Sequence, residues 1–551
     1  MATVICILIK QDTNYELINL MTFKKLICRH YIGYSTNRFT KNCAFLDASN
    51  NSVAALPAVL QYTVSLEPEH EDDDLEHDDY ETVDQQRYYY ITSFYQAARA
   101  GNVELIREKI KTEYRSNRTK LKKVLNTLDD TRMSPLHYAA KYGKVEAARL
   151  LVEYGADPVM KGDDGCLPMH FAVKYRPNVY AEEDSTSPES PRSHNPARRR
   201  QSLFQKNCSF IETLNFLIEK GIEQSGVDII SADDAYGGAP LHYAVYRNNV
   251  AAARILLEQK AQVDDQDHQG QTALHLAARI GSREIFKLFI EYGANVSLTM
   301  NDGTTVLDIA VSEGHENFAR LVLESIDSGN IKYLRSTGQE GIRKALQHTD
   351  NQKLSILHYA VESSDGALMT FLLRSAQLAG CKNLVNAHRL NGDTALHLAA
   401  EKGALDVVKS LCMFRAKTDS YNENHETPLY LAAKNNHSDT ITFLLEQEEG
   451  LEAKTIDKRD ADGWTPLLIA AAFSQKEAAD VLLENNADIK ARNKNDKNLV
   501  FIAATEGHDS FLEHIFDYCE ANNLNQTKLV NRCDASQNTA LHIAAQNGHI
   551  S

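Results

Sequence analysis

The chain has 551 residues, with 59 basic and 75 acidic side chains and a formal net charge of −16. This acidic balance disfavours a broad nucleic-acid surface, because phosphate backbones are bound chiefly by lysine and arginine. Nine cysteines without a CxxC pair fit reduced thiols, and no apolar run approaches the roughly 20 residues that cross a bilayer. We therefore expect a cytoplasmic segment that does not itself insert into a membrane.

The N-terminal part of the chain does not share the pattern found later. We assign no fold to residues 1–60, although the stretch YELINLMTFKKLICRHYIGY from Tyr15 is compatible with a short helix. Residues 61–90 are predicted to be a flexible acidic linker, since Glu67–Glu81 carries ten carboxylates in fifteen residues. The alternative, a calcium site, is disfavoured because the run lacks the ligand spacing and the turn glycine of an EF-hand loop.

From residue 91 onward one short motif recurs. Seven copies contain a histidine in the setting of TALHLAA, at His137, His170, His242, His275, His358, His397 and His542. Five divergent copies carry another residue there, namely Tyr95, Asp308, Tyr430, Leu468 and Phe501. The commonest interval is 33 residues, and the departures from it are longer. The pattern resembles the ankyrin repeat and predicts an all-α solenoid of about 12 helix-turn-helix units over residues 91–551, with loop insertions in the long intervals.

The unit that begins at Thr272 illustrates the local structure that we expect. Thr272 can cap a short first helix, and Gly281 can end that helix in the left-handed conformation. A second helix from about Arg283 to Tyr292 places Ile285 and Phe289 on one face. Two helices of this length are marginal alone, so neighbouring units must stack to bury that face.

We interpret the seven motif histidines as structural parts of the repeat, because an imidazole at this position can bond to backbone groups of adjacent turns. Metal binding or catalysis is the alternative, but metal ligands must converge, whereas these side chains lie one repeat apart. The chain also lacks the GxxxxGK[ST], HExxH and GxSxG motifs. We predict no enzyme, no cofactor and no catalytic or metal-binding residue, and we expect Trp464 to pack between layers rather than to serve as a ligand platform.

The longest interval, between His170 and His242, contains an insert at residues 178–202 that is rich in serine, proline and charge and is predicted to be a disordered loop. Ser202 follows Arg199 and Arg200 in an R-R-x-S pattern, which resembles the sites of basophilic kinases. Ser187 and Ser190 each precede a proline, as in proline-directed sites, so these three serines are candidate phosphorylation sites. The alternative is that the arginine run is simply solvated.

A second insertion, at about residues 325–353, contains four basic residues, Lys332, Arg335, Arg343 and Lys344. We favour a helical linker with an exposed basic face, and the alternative is a site for an acidic partner or a phosphoinositide. At the other end of the array, residue 551 follows the first helix of a repeat without a second helix. Since solenoids need capping units, we expect the natural chain to continue beyond this fragment.

Two stretches point to a particular group of repeat proteins. The segment DGCLPMHFAV, Asp164 to Val173, and the segment from Asp462 to Ala504, in which the motif histidine is replaced, are similar to the N-terminal repeats of TRPA-type transient receptor potential cation channels. This resemblance implies a tetrameric, cation-conducting membrane protein of which the chain would be the cytosolic arm.

Two classes of function remain open from the sequence. In the first, the solenoid regulates or couples gating in a TRPA-like channel of the plasma membrane. In the second, it is a soluble scaffold that binds protein partners on its concave repeat surface. Both classes predict protein partners, and neither predicts a nucleic-acid partner.

Overall fold

The computed structural model describes residues 6–11, 14–19, 94–115, 117–174, 196–225, 229–329, 338–447 and 455–549. Its contacts divide the chain into two units, Met1–Tyr80 and Glu81–Ser551. The acidic run Glu67–Glu81, Ser187, Ser190, Lys332 and Arg335 lie outside the described residues.

In the first unit, strand β1 (Cys6–Gln11) pairs antiparallel with strand β2 (Asn14–Asn19), in a register that places Cys6 opposite Asn19. The helix suggested from Tyr15 is therefore wrong for residues 15–19. The two strand sequences, CILIKQ and NYELIN, are rich in Ile, Leu and Tyr, which favour strands, and local pairing satisfies their backbone groups.

The second unit consists of helix pairs, and its first helices confirm the predicted count of twelve. The first helices are α1 (94–100), α4 (Pro135–Lys141), α6 (Pro168–Lys174), α8 (Pro240–Tyr246), α10 (Ala273–Ile280), α12 (Val306–Ser312), α15 (Ile356–Ser363), α17 (Ala395–Lys402), α19 (Pro428–Lys434), α21 (Pro466–Ala472), α23 (Leu499–Glu506) and α26 (Ala540–Asn547). The second helices are α2 (Val103–Glu113), α5 (Val145–Glu153), α7 (Pro196–Ser225), α9 (Val250–Glu258), α11 (Arg283–Glu291), α13 (Glu316–Asp327), α16 (Gly366–Leu378), α18 (Leu405–Met413), α20 (Ser438–Glu446), α22 (Lys476–Glu484) and α24 (Asp509–Ala521).

Three further helices lie in intervals longer than 33 residues, and they correct the expectation of loop insertions there. They are α3 (Arg118–Leu125), α14 (Gly338–Leu346) and α25 (Gln526–Val530). The α14 helix agrees with the helical linker predicted for the second insertion. Each of the three has buried residues, for example Leu121 and Leu125 in α3 and Ile342 and Leu346 in α14. Burial of these apolar side chains stabilises the extra residues as helices that pack on the array.

The predicted disordered loop 178–202 is also partly wrong, because α7 begins at Pro196 and includes Ser202 in its first two turns. Proline is well suited to the first position of a helix, where its missing N–H has no intrahelical partner. The residues that follow, ARRRQSLFQK, have high helix propensity and continue into the packed half of α7. Residues 178–195 lie outside the described residues.

The close stacking of successive first helices depends on their small side chains. In α10, Ala277 and Ala278 are fully buried, and small side chains allow the neighbouring first helices to approach closely. The second helices bring larger groups. Phe286 of α11 and Phe318 of α13 meet edge to face with ring centroids 5.1 Å apart, and both are 1% exposed. One continuous apolar core therefore runs from repeat to repeat through the array.

The ends of α10 form as the sequence predicts. Thr272 is its N-cap, with the side-chain oxygen accepting from the His275 N–H, and Gly281 ends it in the left-handed region at φ 71°. A Cβ at Gly281 would lie 2.7 Å from Cγ of His315, whose Nε2 is 3.0 Å from the carbonyl oxygen of Arg279.

We expect Gly281→Ala to lower the free energy of unfolding by about 2–3 kcal/mol, because alanine is strained at this φ and the His315 ring must also move and lose its hydrogen bond. The matched control is Gly548→Ala in α26, where φ is 79° and nothing lies within 4 Å of the added Cβ. That control isolates the backbone cost of about 1–2 kcal/mol. Equal losses in urea denaturation of the two variants would contradict the predicted contact.

Candidate protein-interaction surface

Each motif histidine accepts a backbone hydrogen bond at the start of its first helix, and five of the seven close a capping box with a serine or threonine three residues earlier. The ring Nδ1 accepts from the backbone N–H three residues earlier, at 3.1 Å for Thr272 and His275 and at 3.0–3.2 Å in the other six. Where the earlier residue is serine or threonine, its side-chain oxygen lies 2.8 Å from Nδ1. This arrangement satisfies backbone groups that a helix N-terminus otherwise leaves unpaired.

The other ring nitrogen reaches the next repeat. In four histidines Nε2 lies 3.1–3.2 Å from a backbone carbonyl of the following turn, for example His137 with Cys166 and His242 with Gln271. A carbonyl can only accept, so Nε2 carries the proton and Nδ1 is free to accept in the capping box. In these four repeats, a single neutral tautomer of the histidine therefore bonds both to its own helix and to the neighbouring repeat.

His170 and His275 differ in that Nε2 is buried without a hydrogen bond among the described residues. Burial lowers the pKa of both rings, against the opposing effects of the Asp234 charge on His170 and of the Leu298 backbone on His275. Burial lowers the pKa of His137, His170, His275 and His358 to about 4, and it also lowers the pKa of His397. These five rings are therefore neutral at physiological pH.

Repeats without the histidine keep the cap by other means. In repeat 6, Asp308 Oδ2 accepts from the backbone N–H of Thr305 at 3.0 Å and from its hydroxyl at 2.6 Å. In repeat 9, the Tyr430 hydroxyl donates to Asp460 of the next turn at 2.9 Å, which supplies the bond between repeats. Leu468 and Phe501 replace the histidine with buried apolar groups.

Asp308 is 2% exposed, and burial raises its pKa to about 6. Its ionised form is therefore disfavoured in the folded state, so this residue contributes stability at acidic pH that is lost as the pH rises through about 6. We expect Asp308→Asn, which keeps an acceptor for Thr305, to raise the free energy of unfolding at pH 8 by about 1–3 kcal/mol.

The gain from Asp308→Asn should shrink towards zero near pH 4, where aspartate is protonated in both states. Urea denaturation at the two pH values measures it. Asp302→Asn on the neighbouring exposed turn is the control for a lost surface carboxylate. An equal gain at both pH values would contradict the assignment to ionisation.

The turns between repeats form a hydrogen-bonded edge. In the turn of repeat 5, Asp267 Oδ1 accepts from the backbone N–H groups of Gln269 and Gln271 at 2.9 and 2.8 Å. Successive turns are joined by single backbone bonds, such as His268 N to Tyr236 O at 2.9 Å and Asn301 N to Gln269 O at 3.0 Å. The turns are consequently held in register with one another.

The C-terminal ends of the first helices form a second surface, which the sequence analysis missed. We call it the helix-end stripe and define it as the residues four and five positions after each motif residue. Its members contact one another across repeats. The Arg99 guanidinium lies 5.2 Å from the ring centroid of Tyr142, and Lys402 Nζ lies 2.6 Å from Glu362 Oε2. Aligning the repeats on the motif would have revealed this register.

The helix-end stripe changes charge along the array. In repeats 1–5 every repeat places one basic residue there, namely Arg99, Lys141, Lys174, Arg247 and Arg279. In repeats 6 and 7 the stripe instead carries Glu313 and Glu362, and in repeat 8 it carries both Glu401 and Lys402. Tyr142 and Tyr246 add aromatic surface to the basic part, and Tyr246 is 37% exposed.

The other residues singled out by the sequence have local contacts. Trp464 is half-buried against the core, and its backbone N–H donates to Asp460 Oδ1 at 2.8 Å. Arg343 of α14 donates from Nε to the carbonyl of Ala379 at 2.7 Å, so part of the predicted basic face is engaged within the array. The six cysteines whose side chains are described are free thiols, and burial raises the pKa of Cys166, Cys381, Cys412 and Cys519.

A polar cleft of about 470 Å³ lies beside the turns of repeats 8 and 9, lined by residues that include His388, Lys417, Asp419 and Tyr421. Within the described residues, no group of three or more His, Cys, Asp or Glu is placed to hold a metal ion. None of the described helices combines the length and the apolar character needed to span a bilayer.

Stacked pairs of short helices, capped by Thr/Ser–His boxes and joined by a ladder of turns, define a helix-turn-helix repeat solenoid. Family models of ankyrin repeats match residues 94–181, 329–421, 357–457 and 396–493, and a second ankyrin model matches residues 241–290. The chain belongs to the ankyrin-repeat family, whose members generally mediate binding between proteins.

The chain is also similar to curated channel proteins, which confirms the resemblance seen in the sequence. It is 26% identical over 465 residues to transient receptor potential cation channel subfamily A member 1 of Homo sapiens, covering 82% of this chain and 38% of the relative. It is 28% identical over 477 residues to the Caenorhabditis elegans homolog, covering 83% and 36%. Similarity to Rabankyrin-5 of Mus musculus is 28% over 220 residues, covering 34% of this chain and 18% of the relative. The chain thus spans little more than a third of the length of either channel protein.

Proposed function

We propose that this chain is the cytosolic N-terminal ankyrin-repeat region of a TRPA-like cation channel, where it serves protein interaction and regulates or couples gating. The observation that carries the proposal is the length of the similarity. Alignments of 465 and 477 residues cover more than four fifths of this chain in two channel proteins. The match to Rabankyrin-5, by contrast, covers 34% of it.

The structure supports a role in coupling through mechanical continuity. The apolar core and the turn ladder link successive repeats, and four of the motif histidines add a bond to the next repeat. Stability in such an array is a sum of unit and interface terms, so a displacement at one repeat is passed to its neighbours. In the proposed parent channel, a homotetramer in the plasma membrane, four such arms would connect cytosolic partners to the pore.

The first test is to sequence the full-length transcript through the codon for Ser551 and beyond. Six downstream segments of about 20 apolar residues would support the channel. A stop codon or a soluble domain there would contradict it and favour the alternative function, a soluble scaffold that binds protein partners.

The second test is functional. The full-length coding sequence, expressed in cells, should give cation currents that respond to irritant chemicals or temperature. Loosening the array by Phe286→Ala should shift the stimulus needed for half-maximal current, whereas the exposed exchange Lys287→Ala on the same helix should not. Absence of any current from protein that reaches the cell surface would overturn the channel proposal.

A further inference from the structure

The basic part of the helix-end stripe is unusual for a chain with a net charge of −16, since repeats 1–5 place five basic and no acidic residues at these positions. Several ion pairs of these repeats lie on second helices, such as Lys109 with Glu113, Arg149 with Glu146 and Arg254 with Glu291. The stripe side chains meet aromatic rings. Lys174 Nζ lies 5.0 Å from the ring centroid of Tyr243, and Arg247 lies 5.7 Å from that of Tyr246.

The spacing of this stripe matches an extended chain. Adjacent packed helices are about 10 Å apart, so the basic groups recur at about that interval. An extended peptide advances about 3.3 Å per residue, so every third residue faces the next repeat. A peptide with a carboxylate at every third position would therefore meet one basic side chain in each of repeats 1–5.

Charge at the other end of the same helices favours a narrow ligand. The turns of repeats 2, 3 and 4 carry the exposed carboxylates of Asp130, Asp163 and Asp233. A first helix of seven residues is about 10 Å long, so these carboxylates lie about one screening length from the stripe. A flat anionic membrane would face both rows of charge, whereas a single peptide chain can follow the basic row alone.

From this arrangement we infer that the helix-end stripe of repeats 1–5 binds an extended acidic peptide segment of a protein partner, with carboxylates at about every third residue. The inference rests on the proposed role in protein interaction and names the chemistry of the partner. In repeat 6 the basic residue is replaced by Glu313, which repels a further carboxylate. The acidic segment of the partner therefore ends at about repeat 6.

The test uses the full chain and a fluorescein-labelled peptide of glycine, serine and alanine with glutamate at every third position. Fluorescence anisotropy should show saturable binding that weakens between about 0.05 M and about 0.3 M salt, because added salt screens the exposed charges. Combined charge reversal by Arg99→Glu, Lys174→Glu and Arg279→Glu should raise Kd by about tenfold or more.

The matched control reverses three exposed basic residues on the second helices of repeats 1 and 5, by Arg107→Glu, Arg283→Glu and Lys287→Glu. It has the same net charge as the stripe variant and should bind nearly as the wild type does. Circular dichroism of both variants checks that they fold. Equal weakening in the two variants, or equal binding of a glutamine-substituted peptide, would overturn the inference.

Stronger binding to anionic vesicles or to single-stranded RNA than to the peptide, lost in the stripe variant alone, would also overturn the peptide assignment. The outcome is separable from that of the proposed function. If a soluble tail follows Ser551 and the peptide binds, the channel proposal fails and the peptide-binding proposal stands. If cation currents are recorded and the peptide does not bind, the channel proposal stands and the peptide-binding proposal fails.

Discussion

Acidification is expected to unfold the repeat array between pH 6.5 and pH 4. The pKa of His137, His170, His275 and His358 is about 4 in the folded chain, compared with 6.5 for an ordinary histidine. Within this window the unfolded chain binds protons that the folded chain does not, so stability is full above pH 6.5 and is lost as the pH falls. Each of these rings contributes about 1.4 kcal/mol per pH unit.

Carboxylates change the size of this loss of stability at falling pH, but they do not reverse it. Asp308, with a pKa of about 6, adds stability as the pH falls, and so does Asp264, whose pKa burial also raises, but these are two groups against four. Hydrogen bonds, chiefly from Tyr138 to Asp129 and from Arg389 to Asp393, lower the pKa of these two carboxyls against the opposing effect of burial. Protonation of Asp129 and Asp393 therefore destabilises the fold only at pH values below the range in which the histidines act.

Urea denaturation at half-unit steps of pH measures the expected slope. His275→Asn keeps an acceptor for the Thr272 N–H and should reduce the slope between pH 6 and 4.5 by about one proton, or about 1.4 kcal/mol per pH unit. His268→Asn, on an exposed turn, is the control. A slope unchanged in His275→Asn would show that the buried motif ring does not resist protonation.

Removing one aromatic ring from the core should have the next largest effect. Phe286 is 1% exposed and packs edge to face against Phe318 of the following repeat. We expect Phe286→Ala to lower the free energy of unfolding by about 3–5 kcal/mol, through lost burial and the cavity left behind. Lys287→Ala, exposed on the same helix, should cost about 0.5 kcal/mol or less.

The shape of the transition tests the mechanism of this loss. Because each repeat contacts chiefly its neighbours, weakening the interface between repeats 5 and 6 should uncouple the array on either side. The urea transition followed by circular dichroism should then separate into two steps. A single transition with the midpoint of the Lys287→Ala control would contradict the role of this interface.

Much of the fold followed from the motif. Thr272 and Gly281 bound their helix as predicted, and twelve copies of the motif gave twelve first helices. Caps and left-handed glycines act within a few residues, so their signal is local and survives in a single sequence. The sequence predicted a structural role for His275 through bonds to adjacent turns, whereas the described bonds of its Nδ1 close on Thr272, three positions away.

The inserts were harder to predict. Ser202 lies in a helix that begins at Pro196, and α3 folds in an interval where a loop insertion was expected. The helix propensity of such a segment is decisive only when a neighbouring surface buries residues such as Leu121 and Leu125. Composition describes the segment but not the surface on which it packs.

The sequence by itself determined the repeat, its period, its capping chemistry and its likeness to TRPA-type channels, because these depend on residues close together in the chain. Only the tertiary structure decided which histidines bond to the next repeat, how far burial lowers their pKa, and that Arg99 meets Tyr142 across two repeats. These properties depend on groups 29 or more residues apart, whose distance is set by the stacking of whole layers. The helix-end stripe likewise becomes a surface only when the repeats stack.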